Sequence, residues 1–246
     1  MNVSTLAISV IVPAYNEEKY LADCLRCLSE QDFNLPYEIV VVDNNSTDQT
    51  AQIAESFPKV RLIEEPNQGV VFAKQTGLLA ARADIAAVCD ADCRPPPNWL
   101  LCAYSSLQQE GVVGVTGPLK FYDGPFWYKL PLQLGNFILF TLKFFTGKSS
   151  YCAGCNVAFK KDALLKEGGY DVTQGFGADE LGLWRKLKRQ GIVLLDKDFT
   201  IYASGRRAKG GFWYTIFHDI LLVWLFGSFI NALLKKETVK QYVPRR

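Results

Sequence analysis

Four short apolar runs, separated by polar turns and helical stretches, constrain the fold of this 246-residue chain most strongly. The runs cover residues 8–12, 38–42, 60–64 and 85–89, and each has the length and β-branched content of a buried strand. Strands that alternate with helices are joined by right-handed crossovers into a mostly parallel sheet with helices on both faces. We therefore predict a doubly wound α/β domain over residues 1–210.

The fourth run leads directly into two carboxylates, Asp90 and Asp92, which are followed by three prolines. In such folds the carboxyl ends of the strands are where ligands bind. The turn at residues 13–17 and Asp43 follow or end the first two strands, so we expect them on the same edge. Carboxylate oxygens favour Mg²⁺ or Mn²⁺ and the phosphates that these ions carry. The pattern indicates a nucleotide site, and the alternative is a solvated turn, where Asp is common.

A dinucleotide-binding Rossmann domain is the closest alternative, and Asp43 lies about where its ribose-binding acid would be. That domain needs a glycine-rich turn after its first strand, where backbone N–H groups hold the pyrophosphate. Here the turn is PAYNEE and contains no glycine. We therefore expect the anion to be neutralised differently, by a metal on Asp92.

Charge and cysteine content limit the possible classes of protein. A net charge of +2 argues against a nucleic-acid-binding domain, which usually has a strong basic excess. The seven cysteines and the absence of a secretory signal at residues 1–9 favour a reducing, cytosolic environment. Two pairs, Cys24/Cys27 and Cys152/Cys155, have the spacing of zinc ligands. Cys24 lies in the apolar pattern of a helix, however, and we expect it to be a small core residue.

An ordered series of motifs resembles family 2 of the inverting glycosyltransferases, which have the GT-A fold. The motifs are ISVIVPAYNE, EIVVVDNNSTDQT, the stretch 67–77, DAD, Gly154-Cys155-Asn156 and Ala178-Asp179-Glu180, and the resemblance covers roughly residues 6–207. It implies a nucleotide-diphosphate sugar donor and a divalent cation, Mn²⁺ or Mg²⁺. By this resemblance Pro13, Tyr15, Glu17 and Asp43 line the nucleoside pocket, Lys74 lies near the base, Asp90 faces the ribose, Asp92 binds the metal and Asn156 faces the donor sugar.

The resemblance also places a catalytic base in the pair Asp179-Glu180. The family usually has Glu-Asp, with the aspartate as base and a glycine eleven residues later, whereas here the order of the two acids is reversed. Counting back from Gly191 selects Glu180, but alignment on Arg185 selects Asp179. Neighbours on a helix point about 100° apart, so only one of them faces the acceptor. We favour Asp179 as the base and Glu180 as its support; the alternative is that both merely favour the helix dipole.

Two stretches of the second half have open interpretations. Residues 125–145 are apolar and rich in aromatic residues, so they form either core or the wall of a site for an apolar acceptor. Arg206 and Arg207 follow a Ser-Gly turn. Guanidinium groups match phosphate oxygens, which suits a diphosphate or a phosphorylated acceptor, and the alternative is a solvated basic turn.

The last part, residues 211–246, is predicted to be a membrane-associated helical segment. Residues 212–234 are long enough to span a bilayer, but Asp219 would be costly inside it. Basic residues flank both ends, so an interfacial helix on the cytoplasmic face of a membrane fits better, with a buried core helix in a cytoplasmic protein as the alternative. His218 lies outside every motif and is expected to be structural rather than a base.

The sequence thus predicts an inverting, metal-dependent glycosyltransferase that moves a sugar to a lipid-linked or polysaccharide acceptor. A nucleotidyltransferase is one alternative, although it should have a glycine-rich, basic first turn. A non-catalytic, membrane-associated protein that binds nucleotide sugars is the other, and it would not need carboxylates at both sites.

Overall fold

The structure is a computed structural model that describes residues 6–146, 153–173, 178–206 and 208. Its first half alternates strands and helices as the apolar pattern predicts. Val and Ile fill these strands because helices cover both faces of the sheet. The elements are β1 (Ile8–Ala14), α1 (Leu21–Ser29), β2 (Tyr37–Asp43), α2 (Thr50–Glu55), β3 (Val60–Glu64), α3 (Val70–Ala80), β4 (Ile85–Cys89) and the short β5 (Cys93–Arg94).

The second half has shorter strands and one long helix. Its elements are α4 (Trp99–Leu107), β6 (Val112–Thr116), β7 (Leu119–Phe121), α5 (Phe126–Thr146), β8 (Asn156–Lys160), α6 (Lys161–Leu165), α7 (Ala178–Gln190), β9 (Ile192–Leu195) and β10 (Ile201–Ala203).

Seven strands form the main sheet, in the order β3-β2-β1-β4-β8-β6-β9. All neighbours are parallel except β8, which is antiparallel to both β4 and β6. The prediction of a mostly parallel α/β sheet is therefore confirmed, and the reversed strand was not foreseen. Thr116, at the end of β6, pairs with Val157, near the start of β8, so β8 begins at the carboxyl edge and runs backwards between β4 and β6.

A second sheet of three strands, in the order β5-β10-β7, was also not predicted. The chain breaks at Gly117 and Pro118 after β6 and starts β7 in this other sheet. A Cβ atom at Gly117 would lie 1.9 Å from the backbone oxygen of Phe199, so only glycine permits this approach. Because β5 begins directly after Asp92, this small sheet adjoins the predicted site.

Helix α5 carries the largest exposed apolar residues of the described chain. Phe126 and Phe137 are 71% and 70% exposed, and Leu134 and Ile138 are also exposed. These four side chains therefore do not form core. In the described part of the chain, no helix has both the length and the apolarity needed to cross a membrane. The predicted segment 211–246 lies outside the described residues.

Three cysteines of the first half, Cys24, Cys89 and Cys93, are buried in the core. Cys24 is buried on α1, as predicted, and its sulfur lies 3.8 Å from that of Cys89. Among the described residues, no group of three or more His, Cys, Asp or Glu side chains could hold a metal ion. Cys152 of the second pair lies outside the described residues.

Candidate functional site

The turn after β1 is fastened to the turn after β2. Asn16 adopts a left-handed conformation with φ 50°, and its side-chain oxygen accepts a hydrogen bond from the Thr47 N–H at 2.6 Å. Its own N–H donates to the Ser46 hydroxyl at 2.8 Å, and the Glu17 N–H donates to the Thr50 hydroxyl at 2.7 Å. These bonds fix the position of Glu17 at the carboxyl edge of the sheet.

Asn44 joins the second turn to the third, and sequence reasoning missed it. Its side-chain amide donates to the backbone oxygens of Glu65 and Asn67, at 2.9 and 2.7 Å, and its oxygen accepts from the Gly69 N–H at 2.6 Å. The side chain is only 2% exposed, because each polar atom has a backbone partner. Its place directly after Asp43 was the one available signal.

Two carboxylates at this edge have buried oxygens without partners. Asp43 ends β2 and Asp90 follows β4, and the Oδ1 atom of each makes no hydrogen bond within the described part of the chain. A buried polar atom without a partner is costly. Both oxygens are therefore suited to accept hydrogen bonds from a bound ligand, as predicted for a nucleoside. Pro13 is buried within β1, and Tyr15 is half-buried just beyond that strand.

Arg206 reaches this edge from the other end of the chain and contacts two of the predicted acids. Its Nη1 and Nη2 atoms donate to the two carboxylate oxygens of Glu17, both at 2.6 Å. Its Nε lies 3.0 Å from Asp92 Oδ2, an ion-pair distance without the alignment of a hydrogen bond. The Tyr20 ring lies against the guanidinium, 4.7 Å from centroid to Cζ. Burial acts to lower the pKa of Arg206, but the two carboxylates outweigh it, so the pKa is raised and the group stays charged.

The turn that carries Arg206 is anchored beside Asp92. The Ser204 N–H donates to the backbone oxygen of Asp92 at 3.1 Å. Asp123, at the start of the α5 region, accepts hydrogen bonds from the Ser204 hydroxyl and from the Gly205 N–H. No local pattern signals the roles of Asp123 and Tyr20, because both contacts join residues far apart in the chain.

The opposite wall of the site contains Lys74 and Glu180. The Gly154 N–H donates to Glu180 Oε1 at 3.1 Å. A Cβ atom at Gly154 would lie 2.7 Å from that oxygen and 3.1 Å from Lys74 Nζ, so both side chains converge on this loop. A contact with the Cys93 thiol, burial and the charges of Asp90 and Glu180 raise the pKa of the Cys155 thiol. The charges of Glu180 and Asp90 therefore both act on the Cys155 thiol.

Asn156 does not face the site, which corrects the prediction for this residue. The side chain is completely buried on β8. Its oxygen accepts from Trp99 Nε1 at 2.8 Å, and its amide donates to the backbone oxygens of Phe199 and Pro118 at 2.7 and 3.4 Å. All of its polar atoms are used within the core, so Asn156 has a structural role. The side chain of Asp179 and all of Arg207 lie outside the described residues.

The residues present fit a divalent cation that arrives with its ligand. Asp92 offers a carboxylate at the strand end, and among the described residues no third acidic or cysteine side chain completes a metal cage. Mg²⁺ is typically held by one or two carboxylates together with substrate phosphates and water. An open site of this kind suits an ion bound to a diphosphate.

Comparison with known proteins identifies the family of this chain. The family model for glycosyl transferase family 2 matches residues 9–168. Glycosyltransferase AglE of Haloferax volcanii is 37% identical over 120 residues, which are 46% of this chain and 40% of that protein. Chondroitin synthase of Escherichia coli is 30% identical over 47% of this chain and 18% of its own length. The chain therefore spans less than half the length of these curated relatives.

Two solved structures share the fold. A mannosyltransferase from Pyrobaculum calidifontis, PcManGT, in complex with GDP-Man and Mn²⁺, has a TM-score of 0.66 and 25% identity, over 91% of this chain and 64% of that one. Residues 1–349 of S. aureus TarS give a TM-score of 0.63 at 22% identity, over 82% of this chain and 61% of that one. Since the family model matches the larger part of the chain and the sheet agrees with these folds, the chain belongs to glycosyl transferase family 2 and has the GT-A fold.

Proposed function

We propose that the protein transfers one sugar from a nucleotide-diphosphate sugar, with inversion, to a hydroxyl or phosphate of a lipid-linked or polysaccharide acceptor. The observation that carries the proposal is the meeting of Glu17, Asp43, Asp90 and Asp92 at one sheet edge, with buried oxygens of Asp43 and Asp90 left without partners. Membership of the family and the GDP-Man complex of PcManGT support a nucleotide-sugar donor.

The nucleoside is bound by the two acids with unpaired oxygens. Asp43 accepts a hydrogen bond from the nucleobase, and Asp90 accepts from the ribose hydroxyls, since carboxylate oxygens are hydrogen-bond acceptors. Tyr15 and Pro13 line the same pocket, and the Lys74 ammonium lies near the base. Asn44 contributes indirectly by holding the three loops together.

Asp92 would hold the divalent cation, with the diphosphate as its other ligand, and the bound ion would neutralise charge on the leaving diphosphate. Among the protein's own groups, the Arg206 guanidinium lies 3.0 Å from Asp92 Oδ2. Its planar fork matches phosphate oxygens, so it provides a second positive charge for the leaving group. Arg207, the next residue in the sequence, is proposed to add a further positive charge.

The base that deprotonates the acceptor comes from the Asp179/Glu180 pair at the start of α7. Glu180 already accepts a hydrogen bond from Gly154, so it is suited to position the loop and its neighbour. Asp179 is then the base, and inversion follows from attack on the anomeric carbon opposite the diphosphate.

The acceptor is proposed to be membrane-borne and to meet the protein at the cytoplasmic face. Helix α5 supports this, because its exposed residues Phe126, Leu134, Phe137 and Ile138 offer an apolar surface to a bilayer. Residues 212–234 add an apolar segment with basic flanks.

A thermal-shift panel tests the donor. The protein is heated with UDP- and GDP-linked sugars, each with Mn²⁺ or with EDTA. A true donor at about one hundred times its dissociation constant should raise Tm by roughly 5–10 °C, and only with the metal. If every nucleotide sugar leaves Tm unchanged in Mn²⁺, the proposed donor site is wrong.

A further inference from the structure

We propose that Arg206 competes with the divalent cation for Asp92, so that metal binding must displace its guanidinium, which then serves the diphosphate. The inference rests on the proposed function. The positive charge of Arg206 already lies in the donor site before any ligand arrives.

The guanidinium contacts both acids at once. Two nitrogens bind Glu17 and the third lies 3.0 Å from Asp92 Oδ2. A divalent ion on that oxygen would sit about 2.1 Å from it, as such ions do on carboxylates. Arg206 and the ion would then be within a few ångströms of each other, with the Arg206 side chain only 11% exposed and little water between them. Like charges this close repel, so the Arg206 contact with Asp92 Oδ2 opposes binding of the metal to this carboxylate.

The two arms of Arg206 differ in strength. The Glu17 arm is a bidentate pair of charge-assisted hydrogen bonds, which is the strongest geometry for these groups. The Asp92 arm has no hydrogen-bond alignment. A cation that takes Asp92 therefore breaks the weaker arm first, and Glu17 keeps the guanidinium at the edge of the site.

The backbone beneath Arg206 limits how far it moves. Ser204 is bonded to the Asp92 backbone, and Asp123 holds both Ser204 and Gly205. Displacement is thus a rotation of the side chain over the Tyr20 ring rather than release of the turn. Phosphate oxygens on the bound donor give the rotated guanidinium a new anionic partner.

This arrangement couples metal and nucleotide. Metal alone must remove Arg206 from Asp92 without replacing that contact, so it should bind weakly. When a diphosphate is present, the lost contact is replaced. Each ligand therefore raises the affinity for the other by the same factor.

The test measures Mn²⁺ binding by the full chain without nucleotide, from the free-ion EPR signal. Arg206→Gln should bind Mn²⁺ about tenfold more tightly than wild type, the size expected when one competing contact to a charged group is lost. Arg206→Lys, which keeps the charge but not the fork, should change in the same direction by less. Arg61→Gln is the matched control, because Arg61 makes a similar part-buried pair with Glu38 outside the site and its loss should leave Mn²⁺ affinity unchanged.

The same titrations with UDP and GDP separate the inference from the proposed function. We expect nucleoside diphosphate to raise Mn²⁺ affinity in wild type, and less so in Arg206→Gln. If both Arg206 variants bind Mn²⁺ alone no more tightly than wild type, the competition is refuted while the donor site stands. If wild type fails to bind Mn²⁺ in the presence of UDP and also fails in the presence of GDP, the metal-dependent donor site itself is refuted. Should Arg206→Gln not fold, Arg206→Lys and Arg61→Gln decide.

Discussion

The two halves of the molecule build the same site in different ways. In the first half, acids end or follow strands β1, β2 and β4, and local turns are fastened to one another by Asn16 and Asn44. In the second half, single long-range contacts carry the functional groups to the edge, as Arg206 reaches Glu17 across 189 residues. The donor side therefore follows from local chain pattern, whereas the opposite side depends on tertiary contacts.

Asp92→Asn should have the largest effect, because it changes the acid that both halves share. The expected loss of transfer is about 10²-fold or more, since an amide oxygen is a poorer metal ligand and charge on the diphosphate is then less neutralised. Sugar release from the donor is followed at limiting Mn²⁺, with Asp32→Asn as an exposed control. If Asp92→Asn turned over donor at the wild-type rate, Asp92 would not be the metal ligand.

Changes at Asp179 and Glu180 test the opposite wall. Asp179→Asn should lower transfer by about 10²-fold while donor binding is kept, as is usual when a general base is lost. Glu180→Gln should cost less, because an amide still accepts the Gly154 hydrogen bond. Turnover and donor affinity are measured for both. A severe loss in Glu180→Gln alone would exchange the two roles, and equally mild losses would exclude a base from this pair.

Asn156→Ala tests whether Asn156 stabilises the core or binds the donor sugar. It removes partners of the Trp99 indole and of the Phe199 carbonyl inside the core. We expect the free energy of unfolding to fall by about 2–4 kcal/mol, because buried polar groups are left unpaired. Urea unfolding measures this loss, and donor affinity of the folded protein should hardly change. If the variant is as stable as wild type but binds donor weakly, Asn156 faces the donor sugar as the sequence predicted.

The contrast between the halves also explains what the sequence could predict. The apolar runs at 8–12, 38–42 and 85–89 predict buried strands, and the acids after them predict the carboxyl edge of the sheet. Strands of two or three residues, such as β5, β7 and β10, have no periodicity to detect. The burial of Asn156 and the arrival of Arg206 at Glu17 depend on residues far away in sequence, so no local pattern signals them.

The exposed face of α5 offers a further contrast with the first half. Phe126→Ser with Phe137→Ser should weaken binding to anionic liposomes by about tenfold or more, because each exposed phenyl ring contributes apolar area at an interface. Leu79→Ser on α3 is the matched control, since Leu79 is also apolar and is 65% exposed. Co-sedimentation measures the binding. Equal liposome binding by the double variant and the control would show that the exposed phenyl rings of α5 do not contribute to membrane binding.

The smallest expected effect concerns Glu38, at the amino end of β2, away from the site. Burial raises its pKa, but hydrogen bonds from Ser9, the Arg82 N–H and Arg61 outweigh this and hold it below the ordinary value of 4.5. A lowered folded pKa stabilises the protein above pH 4.5, and this stability is lost as the pH falls through the folded pKa.

Glu38→Gln should therefore be less stable than wild type at pH 7, by about 1 kcal/mol, and the gap should narrow below pH 4.5. Urea unfolding of both proteins at pH 7 and at pH 3 measures it. A gap that stays constant between these two pH values would show that the ionised form of Glu38 does not contribute.

Anomalous scattering from Mn²⁺ tests the central claim most directly. Crystals of the wild-type chain grown with Mn²⁺ and a nucleoside diphosphate are measured near the manganese edge. We predict a peak about 2.1 Å from an Asp92 carboxylate oxygen, in contact with the diphosphate, and the nucleoside beside Asp43 and Asp90. A nucleotide bound at this edge without a peak at Asp92, or a peak and nucleotide bound elsewhere, would contradict the account.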